Sequence, residues 1–324
     1  LLPATLTGSG PDVSLMNTNN EPMNYAIRDA VLNLKGFPDY EQAASSFIPE
    51  TLVPYTFDNE VYAFPDTMQY FTMVYRKDIF DDLGIEPPDT WEDVYEVIIK
   101  LQKKKLQFGM PVDVNGYMMF LLQNDGSLYK DGGRRINIDS LEGITAFNAW
   151  SEFFTDYKLD VQYDFPNRFR TGEMPLGIYA SSMYNTLELL APEIRGLWSM
   201  HGIPGVPDGN GGVDNQNIAQ TNYTVIMANC ADKDAAWDFV RWWQSTDVQY
   251  DYAMQLEAVF GVSGRYAPAN KEVLARLPYP KKALDALLAQ YENTFGIPEV
   301  PGAYMTERML TYAFNAVVTD SSAM

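Results

Sequence analysis

The chain has 324 residues with 43 acidic and 23 basic side chains, a formal net charge of -20 and a hydrophobic fraction of 46%. This length exceeds what one hydrophobic core usually supports, so we expect two lobes. The acidic balance argues against nucleic-acid binding. One cysteine (Cys230) and one histidine (His201) leave almost no material for a disulfide, a histidine-based triad or a His/Cys zinc site. No uninterrupted apolar run approaches the ~20 residues of a membrane span.

The first predicted strand covers residues 11–16 and is followed by the polar turn 17–20. Ligands of open α/β sheets bind outside the carboxyl ends of strands, so Asn19 and Asn20 in this turn are candidate ligand contacts. A plain turn is the alternative interpretation. The apolar spacing over residues 25–35 then predicts a helix.

The clearest local pattern lies between residues 71 and 93. Residues 71–75 are apolar and rich in aromatic and β-branched side chains, which predicts a buried strand. A short helix follows and ends at Gly84, and two prolines then prevent its continuation. Thr90 caps the next helix, with Asp93 completing a capping-box arrangement. The face of this helix that is predicted to be buried comprises Trp91, Val94, Ile98 and Leu101.

Strands and helices continue to alternate in the rest of the chain. Predicted strands cover 108–112 and 223–228, and predicted helices cover 117–122, 139–154, 232–245, 280–291 and 304–318. The stripes predicted to be core are Leu141, Ile144, Phe147, Trp150 and Phe154 in one helix, and Ala236, Phe239, Val240 and Trp243 in another. We interpret Trp150 as a core residue rather than a ligand contact.

Crossings between the two lobes are placed near residue 110, between 212 and 216, and between 262 and 265. The N-terminal lobe then comprises residues 1–110 and 216–262, and the C-terminal lobe comprises residues 113–212 and 265–324.

Three groups of motifs carry a resemblance to a known family. They are VYAFP, VYRKDIF and LGIEPPDTWED between residues 61 and 93, FRTGEMPLGIY at 169–179, and DKDAAWDFVRWW at 232–243. In this order they resemble the extracellular solute-binding proteins of ABC importers, the maltose-binding-protein-like family, and they span nearly the whole chain. Residues 265–266 and 297–308 resemble a subgroup of large Gram-positive carbohydrate-binding members.

The resemblance implies an α/β, two-lobed periplasmic-binding-protein-like fold. Each lobe would be a mixed or mostly parallel sheet flanked by helices, with the ligand cleft between the lobes. The family's first strand and helix are expected to be missing from this chain, and its C-terminus is expected to be shortened. The expected location is extracytoplasmic, either lipid-anchored on a Gram-positive surface or periplasmic, with the signal or anchor outside this sequence.

The function implied is capture of a small ligand, expected to be a mono- or oligosaccharide, by lobe closure and delivery to an ABC transporter permease. We expect a monomer with no catalytic residues, no cofactor, no metal and no nucleic-acid partner. Two alternatives remain. A hydrolase would need two carboxyl groups facing each other across the cleft, about 5–5.5 Å or 6.5–9.5 Å apart. The same fold could also carry a polyamine or a peptide.

Sugar recognition needs flat apolar faces and planar polar groups, which we seek near predicted strand ends, turns and crossings. The candidate faces are Tyr70, Tyr117, Tyr179, Tyr184 and Tyr304. The candidate polar contacts, besides Asn19 and Asn20, are Asp66, Gln69, Ser181, Asn222, Glu257, Arg265 and Arg308. In the turn at 180–185 the resembled family often has a glycine-tryptophan pair that stacks on a sugar, whereas this chain offers Tyr179 and Tyr184.

Overall fold

Helices and short strands alternate along the chain in a computed structural model that describes residues 2–17 and 22–322. The strands are β1 (Val13–Asn17), β2 (Thr56–Phe57), β3 (Glu60–Val61), β4 (Phe64–Gln69), β5 (Phe71–Arg76), β6 (Phe108–Gly109), β7 (Tyr129–Lys130), β8 (Arg135–Ile136), β9 (Leu176–Ala180), β10 (Trp198–His201), β11 (Val206–Pro207), β12 (Val213–Asp214), β13 (Asn217–Ile218), β14 (Gln220–Ile226) and β15 (Thr294–Phe295). The α-helices are α1 (Leu2–Leu6), α2 (Pro22–Ala26), α3 (Tyr40–Ala44), α4 (Lys77–Leu83), α5 (Trp91–Lys103), α6 (Val114–Gln123), α7 (Leu141–Thr155), α8 (Phe165–Thr171), α9 (Met183–Leu190), α10 (Lys233–Gln244), α11 (Thr246–Phe260), α12 (Lys271–Arg276), α13 (Lys281–Tyr291) and α14 (Ala303–Ser322).

The local signals between residues 71 and 93 produce the predicted elements. The buried strand is β5, and the short helix after it is α4, which ends at Gly84 in the left-handed conformation. The capping box of α5 is complete, since the Asp93 N–H donates to Thr90 Oγ1 at 3.2 Å and the Thr90 N–H donates to Asp93 Oδ2 at 3.1 Å. The predicted inner face of α5 is buried, which confirms the assignment.

The helix predicted over residues 25–35 does not form beyond Ala26. The chain turns at Asp29, and the Leu32 N–H donates to the Ile226 carbonyl at 2.9 Å. Val31 forms an isolated antiparallel bridge with Met227. Val31 is therefore buried along an extension of β14 while Ile27 is 43% exposed, and tertiary pairing overrides the local helical spacing.

The predicted core stripes are only partly correct. Leu141 and Ile144 in the first turn of α7 are 77% and 50% exposed, whereas Trp150 is buried. The helix buries the face that includes Ala146 and Phe153, so the start of the predicted stripe faces solvent. In α10 the same applies to Phe239, which is 39% exposed.

The chain forms two compact units. Unit 1 comprises Leu1–Gln69, Ala219–Pro278 and Thr294–Ala303, and unit 2 comprises Tyr70–Ile218, Tyr279–Asn293 and Tyr304–Met324. This division differs from the expected lobes, which put the first crossing near residue 110. Residues 70–110 belong to unit 2 because β5 pairs with β9 and β10 rather than with β4. Residues 265–278 belong to unit 1, where α12 packs against α11.

The sheet of unit 1 has the strand order β1-β14-β4. Both outer strands are antiparallel to β14, so β1 and β4 run parallel to each other. Their carboxyl ends, Asn17 and Gln69, therefore lie at the same edge of the sheet, where β14 begins with Gln220 opposite Gln69. We call this the unit 1 edge. An apolar cluster that includes Met23, Tyr223 and Val225 packs beside the sheet.

The sheet of unit 2 has the strand order β10-β5-β9-β6. Strand β5 is antiparallel to β9 and β10, and β6 is parallel to β9. The start of β5 at Phe71 therefore shares an edge with the carboxyl ends of β6 and β9 at Gly109 and Ala180. We call this the unit 2 edge. The α/β class with sheets flanked by helices is confirmed, although antiparallel neighbours predominate in both sheets.

Candidate functional site

The unit 1 edge carries polar side chains at all three strand ends. Asn17 lies at the end of β1 beyond a break in the pairing register with β14. Its side-chain Nδ2 donates to the carbonyls of Ser14 and Tyr223 at 3.1 and 3.0 Å. Gln69 at the end of β4 and Asn222 in β14 are half-buried. Of the residues predicted from sequence, this edge brings together Gln69 and Asn222, while Asn19 and Asn20 lie outside the described residues.

Asp66 lies in β4 within the core of unit 1 and is 1% exposed. Its carboxylate accepts hydrogen bonds from Met16 of β1, Thr224 of β14, and Trp243 and Gln244 of α10. Burial raises the pKa of this carboxyl group, and the hydrogen bonds that it accepts act in the opposite direction. Because both oxygens are engaged by protein donors, the structure argues against the direct ligand contact predicted for Asp66.

Glu257 and Arg265 form a bidentate ion pair in unit 1. Glu257 Oε1 lies 2.5 Å from Arg265 Nη2, and Glu257 Oε2 lies 3.0 Å from Arg265 Nε. Both side chains are largely buried. The sequence predicted each as a separate polar contact, whereas in the structure they neutralise each other and join the end of α11 to the segment that follows it.

At the unit 2 edge, Tyr70 and Ser181 lie side by side across β5 and β9. The Ser181 N–H donates to the Tyr70 carbonyl at 2.8 Å. The Tyr70 hydroxyl donates to the carbonyl of Leu287 in α13 at 2.9 Å, and its ring, which is 2% exposed, meets Tyr291 edge to face. Tyr70 therefore anchors the start of β5 to α13. Its hydroxyl and most of its ring are engaged in these contacts within unit 2.

Tyr179 at the end of β9 stacks on Phe165, with 4.0 Å between ring centroids and 25° between planes. Burial and the neighbouring Tyr163 raise the pKa of the Tyr179 hydroxyl well above its ordinary value. Tyr163 is in turn fixed to the end of β6, because its hydroxyl donates to the Met110 carbonyl at 3.0 Å and accepts from the Met110 N–H at the same distance. The Phe165 ring therefore covers one face of the half-buried Tyr179 ring.

Tyr184, at the start of α9, is buried against Trp198 and Tyr279. Tyr184 therefore packs into the core next to the turn that contains Ser181. The sequence does not single out Tyr163, Phe165 and Tyr279, which contact the predicted tyrosines. Their only sequence signal is aromatic identity, which core residues share.

Tyr117 in α6 is fully buried beside Phe147 and Trp150. Its hydroxyl has no hydrogen-bond partner in the part of the chain that the structure describes. Burial raises the pKa of Tyr117 to about 12. A buried hydroxyl of this kind is available to a ligand or to water.

The remaining two predicted contacts lie on α14. Tyr304 is 67% exposed, and Arg308 is exposed as well, with its Nε donating to the Tyr312 hydroxyl one turn further on at 2.7 Å. Neither residue belongs to a strand that ends at the unit 2 edge. Both side chains are exposed, and their contact with a ligand stays a prediction.

Among residues 2–17 and 22–322, no group of three or more His, Cys, Asp or Glu side chains is arranged to hold a metal ion. Within the same ranges no helix has the length and apolar content required to cross a membrane.

Comparison with known proteins gives consistent results. Residues 1–287 match a family model described as bacterial extracellular solute-binding protein. A putative binding protein of Brucella abortus (strain 2308) is 23% identical in an alignment 314 residues long, which covers 91% of this chain and 71% of the relative.

Solved structures share the fold at low sequence identity. The sugar-binding protein MalE of Xanthomonas citri superposes with a TM-score of 0.80 at 19% identity, covering 99% of this chain and 84% of that one. An ABC transporter solute-binding protein of Thermotoga lettingae bound with alpha-D-tagatose superposes with a TM-score of 0.73 at 20% identity, covering 98% and 83%. These similarities establish the two-lobed binding-protein architecture.

Proposed function

Because the chain belongs to the bacterial extracellular solute-binding protein family, we propose that it captures a mono- or oligosaccharide outside the cytoplasm and delivers it to an ABC transporter permease. Capture would occur by closure of the two lobes on the ligand, as hinge motion does in binding proteins generally. The carrying observation is the family match over most of the chain. The sugars named for the structural neighbours support a sugar as the ligand.

The side chains at the two sheet edges fit a sugar. The unit 1 edge offers planar amides, Gln69 and Asn222, which can pair with hydroxyl groups. The unit 2 edge offers Tyr179, whose ring is held from behind by Phe165 and can present an aromatic face to the apolar side of a sugar ring. Ser181 adds a hydroxyl beside it. We propose these four as ligand contacts.

We further propose that the protein works as a monomer on the outer side of the cytoplasmic membrane, either lipid-anchored or periplasmic. The partner would be the permease of an ABC transporter. The family supports the location and the partner, which would be checked by fractionation of cells that express the gene and by copurification with the permease, and size-exclusion chromatography with light scattering would check the monomer.

The proposal is tested by thermal unfolding in the presence of a panel of mono- and oligosaccharides, polyamines and short peptides. A ligand at 100 times its dissociation constant adds about 2.7 kcal/mol to the free energy of unfolding. A shift with one sugar class supports a sugar carrier, and a shift with polyamines or peptides alone would overturn the sugar assignment. Release of product during long incubation with the bound sugar would instead indicate a hydrolase.

The edge residues are tested by calorimetry with the sugar that the panel identifies. Tyr179→Leu removes the supported ring and is expected to weaken binding about tenfold. Tyr250→Leu is the matched control, because this tyrosine is half-buried in α11, as Tyr179 is in β9, and lies outside both edges. Equal affinities for the two variants would remove Tyr179 from the site.

A further inference from the structure

The carboxylate of Asp66 accepts hydrogen bonds from three separate elements of unit 1. Oδ1 accepts from Trp243 Nε1 and Gln244 Nε2 of α10, both at 2.8 Å. Oδ2 accepts from the backbone N–H of Met16 in β1, also at 2.8 Å. The Thr224 hydroxyl lies 2.7 and 2.8 Å from the two oxygens. Three of these four groups can only donate, so the site requires an acceptor oxygen on both sides of the carboxyl group.

The groups that form hydrogen bonds with Asp66 are all neutral. Its backbone carbonyl accepts from the Tyr266 hydroxyl and from the Ala269 N–H, each at 3.0 Å. Within the described residues, no arginine or lysine takes part in this network. The titratable groups that sense the charge of Asp66 are Tyr55 and Tyr266, and burial raises the pKa of both hydroxyls, so they stay neutral. Oriented dipoles rather than a counter-ion therefore stabilise the carboxylate.

Met16 is the one member of this network whose backbone is strained. Its φ is +55°, in the left-handed region that a bulky side chain rarely adopts. It lies where the register between β1 and β14 shifts, directly before Asn17 at the unit 1 edge. The hydrogen bond from the Met16 N–H to Asp66 Oδ2 holds the main chain in this conformation one residue before the strand ends.

From this geometry we infer that Asp66 is a positioning residue: its carboxylate fixes the end of β1, and with it Asn17, at the unit 1 edge, without touching the ligand. The inference rests on the proposed function only where it concerns ligand affinity. The claim that Asp66 holds the end of β1 stands on the hydrogen bonds alone.

Asp66→Asn is expected to remove the hydrogen bond from Met16 while it keeps those from Trp243 and Gln244. The substitution turns one acceptor oxygen into an NH₂ donor. The remaining oxygen is expected to stay beside Trp243 and Gln244, where two donors meet, which turns the NH₂ group toward the Met16 N–H. Thr224→Val is the matched control, because it removes a hydroxyl from the same carboxylate at nearly the same volume and leaves the Met16 bond intact.

The first measurement is hydrogen exchange of backbone amides without any ligand. In Asp66→Asn the Met16 amide is expected to exchange at least about tenfold faster, while the β14 amides from Tyr223 to Ile226 keep their rates. In Thr224→Val the Met16 amide should keep its rate. Equal exchange of Met16 in the two variants, or acceleration throughout the sheet in Asp66→Asn, would overturn the positioning role.

The second measurement is calorimetric titration with maltose as the probe. Asp66→Asn is expected to weaken maltose binding at least about tenfold, and Thr224→Val is expected to change it less than about twofold. Unchanged affinity in Asp66→Asn would show that the end of β1 does not contribute to binding. If the wild-type chain does not bind maltose, the titration is made with the sugar that the panel identifies, and the exchange measurement decides the role of Asp66 in either case.

A double variant covers the case in which Asp66→Asn does not fold. Glycine adopts positive φ without strain, so Met16→Gly removes the need for the hydrogen bond that holds residue 16. Met16→Gly combined with Asp66→Asn is therefore expected to recover folding that Asp66→Asn alone loses. Failure of the double variant to fold would mean that Asp66 supports the whole unit rather than the end of β1, and would overturn the inference.

Discussion

Replacement of Tyr117 by phenylalanine is expected to stabilise the ligand-free protein. The Tyr117 side chain is 0% exposed, and its hydroxyl has no hydrogen-bond partner among the described residues. A buried polar group without a partner costs about 1–3 kcal/mol, and removal of the oxygen avoids this cost while the ring keeps its contacts with Phe147 and Trp150. We therefore expect Tyr117→Phe to raise the free energy of unfolding by about 1 kcal/mol.

Tyr70→Phe is the matched control for this prediction. Tyr70 is also buried in unit 2, at 2% exposure, but its hydroxyl donates to the Leu287 carbonyl at 2.9 Å. Its loss should lower the free energy of unfolding by about 1 kcal/mol, because a satisfied hydrogen bond disappears and a carbonyl is left behind. The two substitutions delete the same atom, so their opposite signs isolate the effect of the partner.

Denaturant unfolding of both variants and the wild type measures these differences, and thermal unfolding should show shifts of about 1–2 °C in opposite directions. The same variants are then titrated with the sugar identified in the panel. If Tyr117 is a ligand contact, Tyr117→Phe binds more weakly although it is more stable. The reasoning is refuted if Tyr117→Phe loses as much stability as Tyr70→Phe, because its hydroxyl would then have a partner.

Three further predictions follow from individual contacts. Thr90→Ala removes the cap of α5 and should cost about 1 kcal/mol in urea unfolding, with the exposed Thr171→Ala as the control. Burial raises the pKa of Asp66 above its value in the unfolded chain. Its contribution to the free energy of unfolding is therefore fully present below the unfolded pKa and is lost as pH rises through the folded pKa. When unfolding is measured against pH, Asp66→Asn should lack this decline in the free energy of unfolding. Gly177→Ala places a Cβ against the Phe165 ring, which should displace the ring that supports Tyr179 and weaken sugar binding in calorimetry. Gly36→Ala should leave binding unchanged, because nothing lies within 4 Å of an added Cβ there and its φ is outside the left-handed region.

Local chemistry explains which parts of the fold the sequence predicts well. The order β5, α4, α5 is determined by signals within a few residues: an apolar β-branched run, a glycine at a left-handed C-cap and a capping box. Each of these signals acts through the backbone nearby and needs no distant partner. The predicted helix over 25–35 does not form for the converse reason. Val31 in this segment pairs with Met227, which lies almost two hundred residues away in the sequence.

The candidate site was predicted less well because burial depends on strand pairing. The sequence marks Asp66 as a polar residue near a strand end, which is as true of a ligand contact as of a buried acceptor. The difference arises only when β14 and α10 bring Thr224, Trp243 and Gln244 to its carboxylate. Glu257 and Arg265 show the same limit, since their mutual neutralisation depends on how the chain leaves α11.

The boundary between the two units falls where the sequence has no marker for it. Strands β4 and β5 are separated by the single residue Tyr70, without glycine or proline, yet they join different sheets. Gln69 therefore ends a strand at the unit 1 edge, and Tyr70 and Phe71 begin one at the unit 2 edge. Asp66 lies three residues before Gln69 and is held by hydrogen bonds on both its side chain and its carbonyl, so the last residues of β4 are fixed within unit 1 by partners that lie far away in the sequence.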